Sequence, residues 1–540
     1  MAAKPEPVHV STRTAPDAVA LEVFRHLFTA LAEEMGAALK RASFSPNIKE
    51  RRDYSCALFN PAGAAVSLGD HMPVHLGAMP MSVSAALDEL GDLDPGDVVC
   101  VNDPFRGGTH LPDITLISAV FAERRILAYV ASRAHHSDVG GSTPGSMPLA
   151  REIFEEGIRI PPVRLYRAGV LNEDLWRTLL ANVRTPVECG GDLDAQLAAL
   201  HTGSTRLLEI AERRGVDRTL AAMDGLIEYA DRLVEAGLEM IPDGRYVAED
   251  SMEDDGFGSG PVPIRATLEL VGSKLTLDFT GTSPQVPGGI NAVAAITSSA
   301  TRYVVRCVVE ELLGELLPAG GGSMSAVTLV LPEGSLVNAR PPASVAAGNV
   351  ETSQRITDVL MRAFAIALPD RMPALSQGTM NNITVGGVDP RTGEAFAYYE
   401  TVGGGMGAGP TGPGRSGVHC HMSNSLNTPV EALEHAYPYR VTRYGIRRNS
   451  GGAGLHRGGD GLRRDLMLLG PARATLLSER RIKGPSGAEG GEDGATGENV
   501  LIRDGAEESL PGKVTFTVDA GDVISVRSHG GGGWGPEQSS

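Results

Sequence analysis

A chain of 540 residues that carries 67 glycines and 35 prolines must turn often. Together they approach a fifth of the sequence, against a usual level of roughly 12%. No three-residue period runs through them, which excludes a collagen-like helix. The glycines crowd into VGGGMGAGPTGPG (402–414), SGGAGLHRGGDG (450–461), GAEGGEDGATG (487–497) and HGGGGWG (529–535). Such clusters imply tight turns and ordered loops. Hydrophobic residues at 42% and charged residues at 21% exclude a disordered chain. With aromatics at 5%, the core must be built mainly from Ala, Val, Leu and Ile.

Charge and cysteine usage remove several function classes. Lys plus Arg total 48 and Asp plus Glu 66, a formal net charge of −18. That argues against a nucleic-acid-binding surface, which carries a basic patch. Cys56, Cys100, Cys189, Cys307 and Cys420 are scattered and never form C-x-x-C. This excludes a disulfide framework and a thiolate zinc site, and a reduced, cytoplasmic setting is expected. The first residues, MAAKPEPVHVSTRTAPD, contain no apolar stretch of signal-peptide type. No apolar run is long enough for a transmembrane helix, so no membrane association is expected.

Patterning gives an α+β mixed, multi-part chain, β-rich with packed helices and many Gly-rich loops. A flexible arm is expected at 1–15. A helix should start at Asp17, with Leu21, Phe24, Leu27, Leu31, Met35 and Leu39 forming one apolar stripe. Strands are expected at 97–101, Ile114–Phe121 and Ile126–Ser132, the last two joined by a tight connection at 122–125. Helices should follow at about 192–241, 293–316 and 351–367, with a hairpin around Gly272-Ser273. The acidic, Gly/Pro-rich segment near 250–263 marks a boundary. The parts are then 16–250, an N-terminal α/β region; 264–440, a central α/β region; and 441–540, a Gly-rich β region.

The strongest chemical constellation is His110-x-x-Asp113 followed by Ala134-His135-His136-Ser137-Asp138. Pairing the two strands across 122–125 places Asp113 opposite Ala134 and Pro112 opposite His135. Directly opposed Cβ atoms lie about 5 Å apart, so His110, Asp113 and one of the two histidines gather at the open end of the hairpin. Residues three apart on a strand face opposite sides. His110 and Asp113 therefore share a ligand only if Leu111-Pro112 bends the chain. Imidazole nitrogen with carboxylate oxygen suits Zn, Mn or Fe. The residues alone leave two readings open: ligands of a divalent metal, or hydrogen-bonded residues of a tight turn.

Other candidates point to structure. Pro73 between His71 and His75 forbids a helical His pair. His419-Cys420-His421 alternates on a possible strand, but no acidic partner is near in sequence. Gly407 to Gly412 satisfies G-x-G-x-x-G literally, yet Pro410 and Pro413 forbid the helix that should open there. No P-loop and no convincing Gly-x-Ser-x-Gly elbow occurs.

Several long motifs resemble hydantoinase B-type subunits: NIKERRDYSCALF (47–59), DHMPVHLGAMP (70–80), NDPFRGGTHLPDITLI (102–117) and AHHSDVGGSTPGSMP (134–148). The same holds for DFTGTSPQVPGGINA (278–292), GNVETSQRITDVL (348–360), QGTMNNITVGG (377–387), YYETVGGGMGAGP (398–410), NSLNTPVEALE (424–434), SGGAGLHRGGDGLRRD (450–465) and GGGGWGP (530–536). The resemblance implies kinship with ATP-dependent N-methylhydantoinases, caprolactamase-type lactam hydrolases, the matching half of 5-oxoprolinases, and acetone and acetophenone carboxylase subunits. In such enzymes an A-type subunit or domain binds ATP and phosphorylates the substrate, and the B-type part acts on the activated species.

By motif, the resemblance places a divalent metal (Zn or Mn, or else Fe) on Asp53, His110, Asp113 and His135. It makes His136, Asp138 and Asp103 candidates for orienting the ligands or moving protons, with His136 as general base. Arg106 becomes a candidate for holding an anionic or phosphorylated group. Where Cys189 stands the family more often carries arginine. The implied function is the B-type subunit of an ATP-dependent cyclic amide hydrolase acting on a hydantoin, 5-oxoproline or lactam. It would work with an A-type ATP-binding partner in a hetero-oligomer of AB pairs. A ketone carboxylase subunit and a non-catalytic scaffold are the alternatives.

Overall fold

The computed structural model describes residues 17–69 and 71–537. The arm expected at 1–15 and the Asp70 of DHMPVH lie outside the described residues. The described helices are α1 (Ala18–Ala42), α2 (Pro46–Lys49), α3 (Ala78–Leu90), α4 (Glu173–Ala181), α5 (Pro186–Arg214), α6 (Val216–Leu238), α7 (Ala294–Leu313), α8 (Ser353–Ala367) and α9 (Val430–Ala436). None is long and apolar enough to cross a membrane. The mixed α and β architecture expected from the sequence is the one found.

The sheet that carries the site contains β1 (Tyr54–Phe59), β2 (Ala65–Leu68), β3 (Val98–Val101), β4 (Asp113–Ala122), β5 (Arg125–His135), β6 (Val163–Arg167) and β7 (Val170–Leu171). Its order is β2-β1-β5-β4-β3-β6-β7, with antiparallel neighbours throughout. Alternate residues on its strands serve two cores. Cys56, Leu58, Ile114, Leu116, Val130 and Ala134 join the core with α1 and α5. Ala57, Phe59, Ile117, Ala119, Tyr129 and Ala131 join Met79, Val83 and Ala86 of α3. Both faces are covered, so β1 is buried along its whole length.

Helix α1 starts where the Asp17 carboxylate accepts a hydrogen bond from the Ala20 amide at 2.7 Å, satisfying one of the donors that a helix N-terminus leaves open. Its stripe buries Phe24, Phe28, Leu31, Met35 and Leu39, each worth about 1.5–3 kcal/mol. The stripe lies against α5, and Gly203 makes that crossing close. A Cβ there would sit 2.4 Å from the Met35 sulfur.

A second sheet holds β8 (Gly244–Met252), β9 (Val262–Val271), β10 (Lys274–Asp278) and β11 (Val327–Val330), in the order β11-β10-β9-β8. The expected hairpin at Gly272-Ser273 is β9–β10, and the acidic segment 253–261 joins β8 to β9. The remaining strands are β12 (Asn382–Val388), β13 (Ala395–Glu400), β14 (Tyr439–Arg447), β15 (Gly461–Leu468), β16 (Ala472–Leu477), β17 (Glu498–Arg503), β18 (Ala506–Leu510), β19 (Lys513–Val518) and β20 (Val523–Arg527). They form sheets ordered β13-β12-β16-β19 and β14-β15-β20-β17-β18 around a core that includes Ile383, Tyr398, Leu466, Leu476 and Ile524.

The four glycine clusters pack backbone against backbone. Gly405 donates to His529 O, Ala408 to Gly532 O, Gly452 to Gly531 O and Ala488 to Gly533 O, each at 2.9 Å. A Cβ on Gly458 would come within 2.0 Å of Gly531 O. Close approach between four distant segments, rather than turn geometry alone, is what demands glycine here.

Candidate metal centre

The hairpin β4–β5 forms as the sequence suggests, but its register changes along its length. Phe121 pairs with Ile126 and Ala122 with Arg125, whereas Val120 pairs with Ala128, leaving Leu127 as an extra residue in β5. This β-bulge corrects the expected pairing: Asp113 faces His135, and Ile114 faces Ala134. On the other side of β5, β1 pairs Tyr54 with Ala134, and the His135 amide donates to the Asp53 carbonyl at 3.0 Å. Asp53, His135 and Asp113 thus sit at one end of three adjacent strands.

His110 reaches the same end through the bend that Leu111-Pro112 permits. The Asp113 amide donates to His110 O at 3.2 Å. Asn102 pins the bend, its amide nitrogen donating to Leu111 O at 2.7 Å and its oxygen accepting from the Ile160 amide at 2.6 Å.

The result is a cluster of three buried side chains whose donor atoms converge. His110 Nε2 lies 3.3 Å and His135 Nδ1 3.2 Å from Asp113 Oδ1, and the two nitrogens are 3.2 Å apart. Ligand atoms held about 2.0–2.1 Å from a tetrahedral zinc stand about 3.3 Å from one another, so the spacing fits a shared cation.

The surrounding hydrogen bonds fit too. His110 Nδ1 lies 3.3 Å from Ala346 O and donates to it, leaving the Nε2 lone pair directed at the cluster. Asp113 Oδ2 accepts from Thr109 Oγ1 at 2.5 Å and from His75 Nε2 at 3.3 Å. Among the described residues Asp113 Oδ1 receives no well-directed hydrogen bond, although both ring nitrogens stand within 3.3 Å of it, a costly state for a buried carboxylate oxygen without a cation. Donation of Nε2–H to Asp113 fixes the His75 tautomer, so Nδ1 accepts from Ser55 Oγ at 2.8 Å.

Burial opposes ionisation throughout, and it prevails at His75 and His135, whose pKa values are lowered. At His110 the pull of Asp113 overcomes burial and raises the pKa. Asp113 itself is held well below the carboxylate range, because His110, His135 and His75 together outweigh its burial.

Asp53 joins His135 and Asp113 in lining a cavity of about 10 Å³, closed by Met72, Val74, Asn349, Val350, Met380 and Tyr399. That is the room of one water molecule or ion. Arg51 frames it, donating to Tyr399 O at 2.8 Å and lying 3.6 Å from Asp53. The Tyr399 ring stacks on His135 with centroids 4.4 Å apart. A larger cavity of about 350 Å³ lies alongside, sharing Met72 and lined also by Ser55, His71, Tyr303 and Cys307.

The structure does not bring the other candidates to this cluster. His136, one residue beyond His135, falls on the opposite face of the sheet, toward α5. The Gln196 amide nitrogen donates to Ile114 O and Ser132 O, so its oxygen accepts from His136 Nε2 at 3.0 Å. Cys189 Sγ stands 3.6 Å from His136 Nδ1. Both ring nitrogens are thereby engaged away from the cavity, and burial lowers the His136 pKa.

Asp138 is occupied by Arg184 at 2.9 Å and by the amides of Gly140, Gly145 and Arg184. Asp103 caps the 3₁₀ turn Pro104–Arg106, accepting from the Phe105 amide at 3.0 Å, and lies 3.7 Å from Arg159. Arg106 faces solvent beside Glu89 at 3.6 Å. His419 and His421 are not on a strand, since His421 has a φ of 57°. They contact Ser423 and Tyr303 instead.

Sequence reasoning missed three contributors. His75 read as structural, and together with Thr109 it holds Asp113 Oδ2. Thr109 lies beside His110 within NDPFRGGTHLPDITLI, but neither spacing nor the resemblance assigns it a role. Asn349 is more than 200 residues away in sequence from the histidine it touches, at 3.0 Å.

Comparison with known proteins gives the family. Arabidopsis thaliana 5-oxoprolinase 1 is 41% identical over 547 residues, covering 96% of this chain and 42% of the relative. An uncharacterized Methanocaldococcus jannaschii protein is 38% identical over 526 residues, covering 96% of this chain and 91% of the relative. The chain therefore spans less than half of the plant protein and nearly all of the archaeal one. The crystal structure of the ATP-dependent caprolactamase from Pseudomonas jessenii superposes with a TM-score of 0.89 at 29% identity, covering 97% of this chain and 92% of that one. Residues 17–537 match the hydantoinase B/oxoprolinase family along nearly their whole course, and the chain belongs to that family.

Proposed function

We propose that this chain is the metal-bearing B-type part of an ATP-dependent cyclic amide hydrolase. The observation that carries the reading is the convergence of His110, Asp113 and His135, whose ligand atoms lie within 4.8 Å of one another, beside a cavity that Asp53 also lines. Asp53, His110, Asp113 and His135 would hold the cation. Zn or Mn suits two imidazoles and two carboxylates best, with Fe also compatible. When bound, the cation supplies positive charge at the reacting carbonyl and lowers the pKa of water.

The chain's own residues do the rest. Ala346 O and the Thr109–Asp113–His75–Ser55 series hold the ligand orientations. Met72, Val74, Val350 and Met380 exclude bulk water, which strengthens every charge interaction in the site. The neighbouring cavity of about 350 Å³ offers room for a five- to seven-membered ring, in the usual size range for small-molecule sites. An amide carbonyl is a poor electrophile, and phosphorylation of its oxygen creates a leaving group. The chain carries no phosphate-cradling motif, so that step falls to an A-type partner that binds ATP, in AB pairs.

The test is reconstitution. The chain mixed with its A-type partner should open a hydantoin, 5-oxoproline or lactam ring with ATP, and His110→Ala should abolish turnover. ATP-driven fixation of labelled bicarbonate into a ketone would overturn the hydrolase reading in favour of a carboxylase. Unchanged turnover in His110→Ala would leave this chain a scaffold.

A further inference from the structure

We propose that the side-chain amide of Asn349 is a further ligand of the cation, contributing its oxygen; this rests on the metal-site reading above. Asn349 lies on a single π-helical turn, Gly348–Thr352, that precedes α8. Such turns widen a helix by one residue and recur at functional sites. The turn is pinned in place: a Cβ on Gly348 would sit 1.9 Å from Asn291 O, and Ser353 Oγ donates to Asn349 O at 2.6 Å. The side chain is buried and lines the same small cavity as Asp53, Asp113 and His135.

Two facts about the amide lead to the oxygen. Its Nδ2 lies 3.0 Å from His110 Nε2, and its Oδ1 is buried without a partner among the described residues. His110 Nε2 has one lone pair, because Nδ1 donates to Ala346 O. That lone pair either accepts from Asn349 or binds a cation; it cannot do both. With a cation present, the amide nitrogen loses its only side-chain partner among the described residues. A half-turn about the last side-chain bond exchanges Nδ2 for Oδ1 and breaks no other hydrogen bond. It places an oxygen about 3.0 Å from His110 Nε2, close to the 3.2–3.3 Å that separates the other donors. Amide oxygen is a ligand for hard and borderline divalent cations.

The experiment is chelator-competition binding of Mn²⁺ and Zn²⁺ to the full chain, comparing wild type with Asn349→Ala, Asn349→Asp and His110→Ala. Metal-free thermal melts establish that each variant is folded. Asn349→Ala should weaken binding about tenfold or more, the scale on which even outer partners of a metal site act. Asn349→Asp keeps an oxygen donor and adds charge, so it should bind at least as tightly as wild type. Unchanged or tighter binding in Asn349→Ala would overturn the proposal, since that is the outcome if the amide merely competes with the cation for His110. Weakened binding in Asn349→Asp would overturn it as well. Wild-type affinity in His110→Ala would instead bring down the metal-site reading itself, so the two failures are distinguishable.

Discussion

Thr109→Val removes one hydroxyl and almost nothing else. Thr109 Oγ1 donates to Asp113 Oδ2 at 2.5 Å, and both residues are buried. Valine fills the same space but leaves Oδ2 with only the longer bond from His75, at 3.3 Å. A hydrogen bond to an ionised buried acceptor is worth about 1.5–3 kcal/mol. Its loss frees the carboxylate to rotate away from His110 and His135. Outer partners of metal ligands typically contribute 10–100-fold in affinity, or about 1.4–2.8 kcal/mol. Chelator competition on the purified chain reads this directly, and Thr109→Ser should retain wild-type binding because it keeps the hydroxyl. A folded Thr109→Val chain that binds Zn²⁺ or Mn²⁺ as tightly as wild type would refute the view that this hydrogen bond positions Asp113.

Three other outcomes follow from the geometry. His136→Gln should leave cation affinity unchanged while lowering stability by about 1–3 kcal/mol in urea melts, because His136 faces Gln196 and Cys189 rather than the cavity; loss of metal would contradict this. Gly203→Val should destabilise by about 1–3 kcal/mol through overpacking, since its Cβ would meet Met35 at 2.4 Å; a neutral urea midpoint would contradict the close α1–α5 crossing. Glu156 accepts from Ser344 Oγ and the Val345 and Ala346 amides, yet burial raises its pKa from 4.5 to about 7. Between those pH values the unfolded chain releases a proton that the folded chain keeps. The group's contribution to stability therefore falls by about 3 kcal/mol as pH rises through that window. Glu156→Gln should flatten that part of the stability–pH profile, and parallel profiles for the two proteins would contradict the assignment.

What the sequence revealed tracks how local each feature is. The β4–β5 hairpin and the start of α1 near Asp17 were readable, because strand alternation and helical periodicity act over a few residues. The one-residue error in pairing arose at Leu127, since a bulge leaves no mark in an apolar run. Asp53 joins the site only because β1 pairs with β5, a contact no spacing rule supplies, so family resemblance was the sole route to it. Asn349 and Tyr399 arrive from still farther along the chain. The separation of His135 from His136 was within reach: neighbours on a strand face opposite sides, so only one of the pair could look into the cavity. Glycine clusters were visible as composition, but their reason, four backbones packed with no room for a Cβ, needs the tertiary structure.

The central claim is that His110, Asp113 and His135 share one divalent cation. Elemental analysis of the purified chain after metal loading and exhaustive dialysis tests it most directly. One equivalent of Zn or Mn per chain in the wild type, lost in Asp113→Ala and His135→Ala, is the predicted result. A wild-type chain that retains no metal, or variants that retain as much as the wild type, would contradict it.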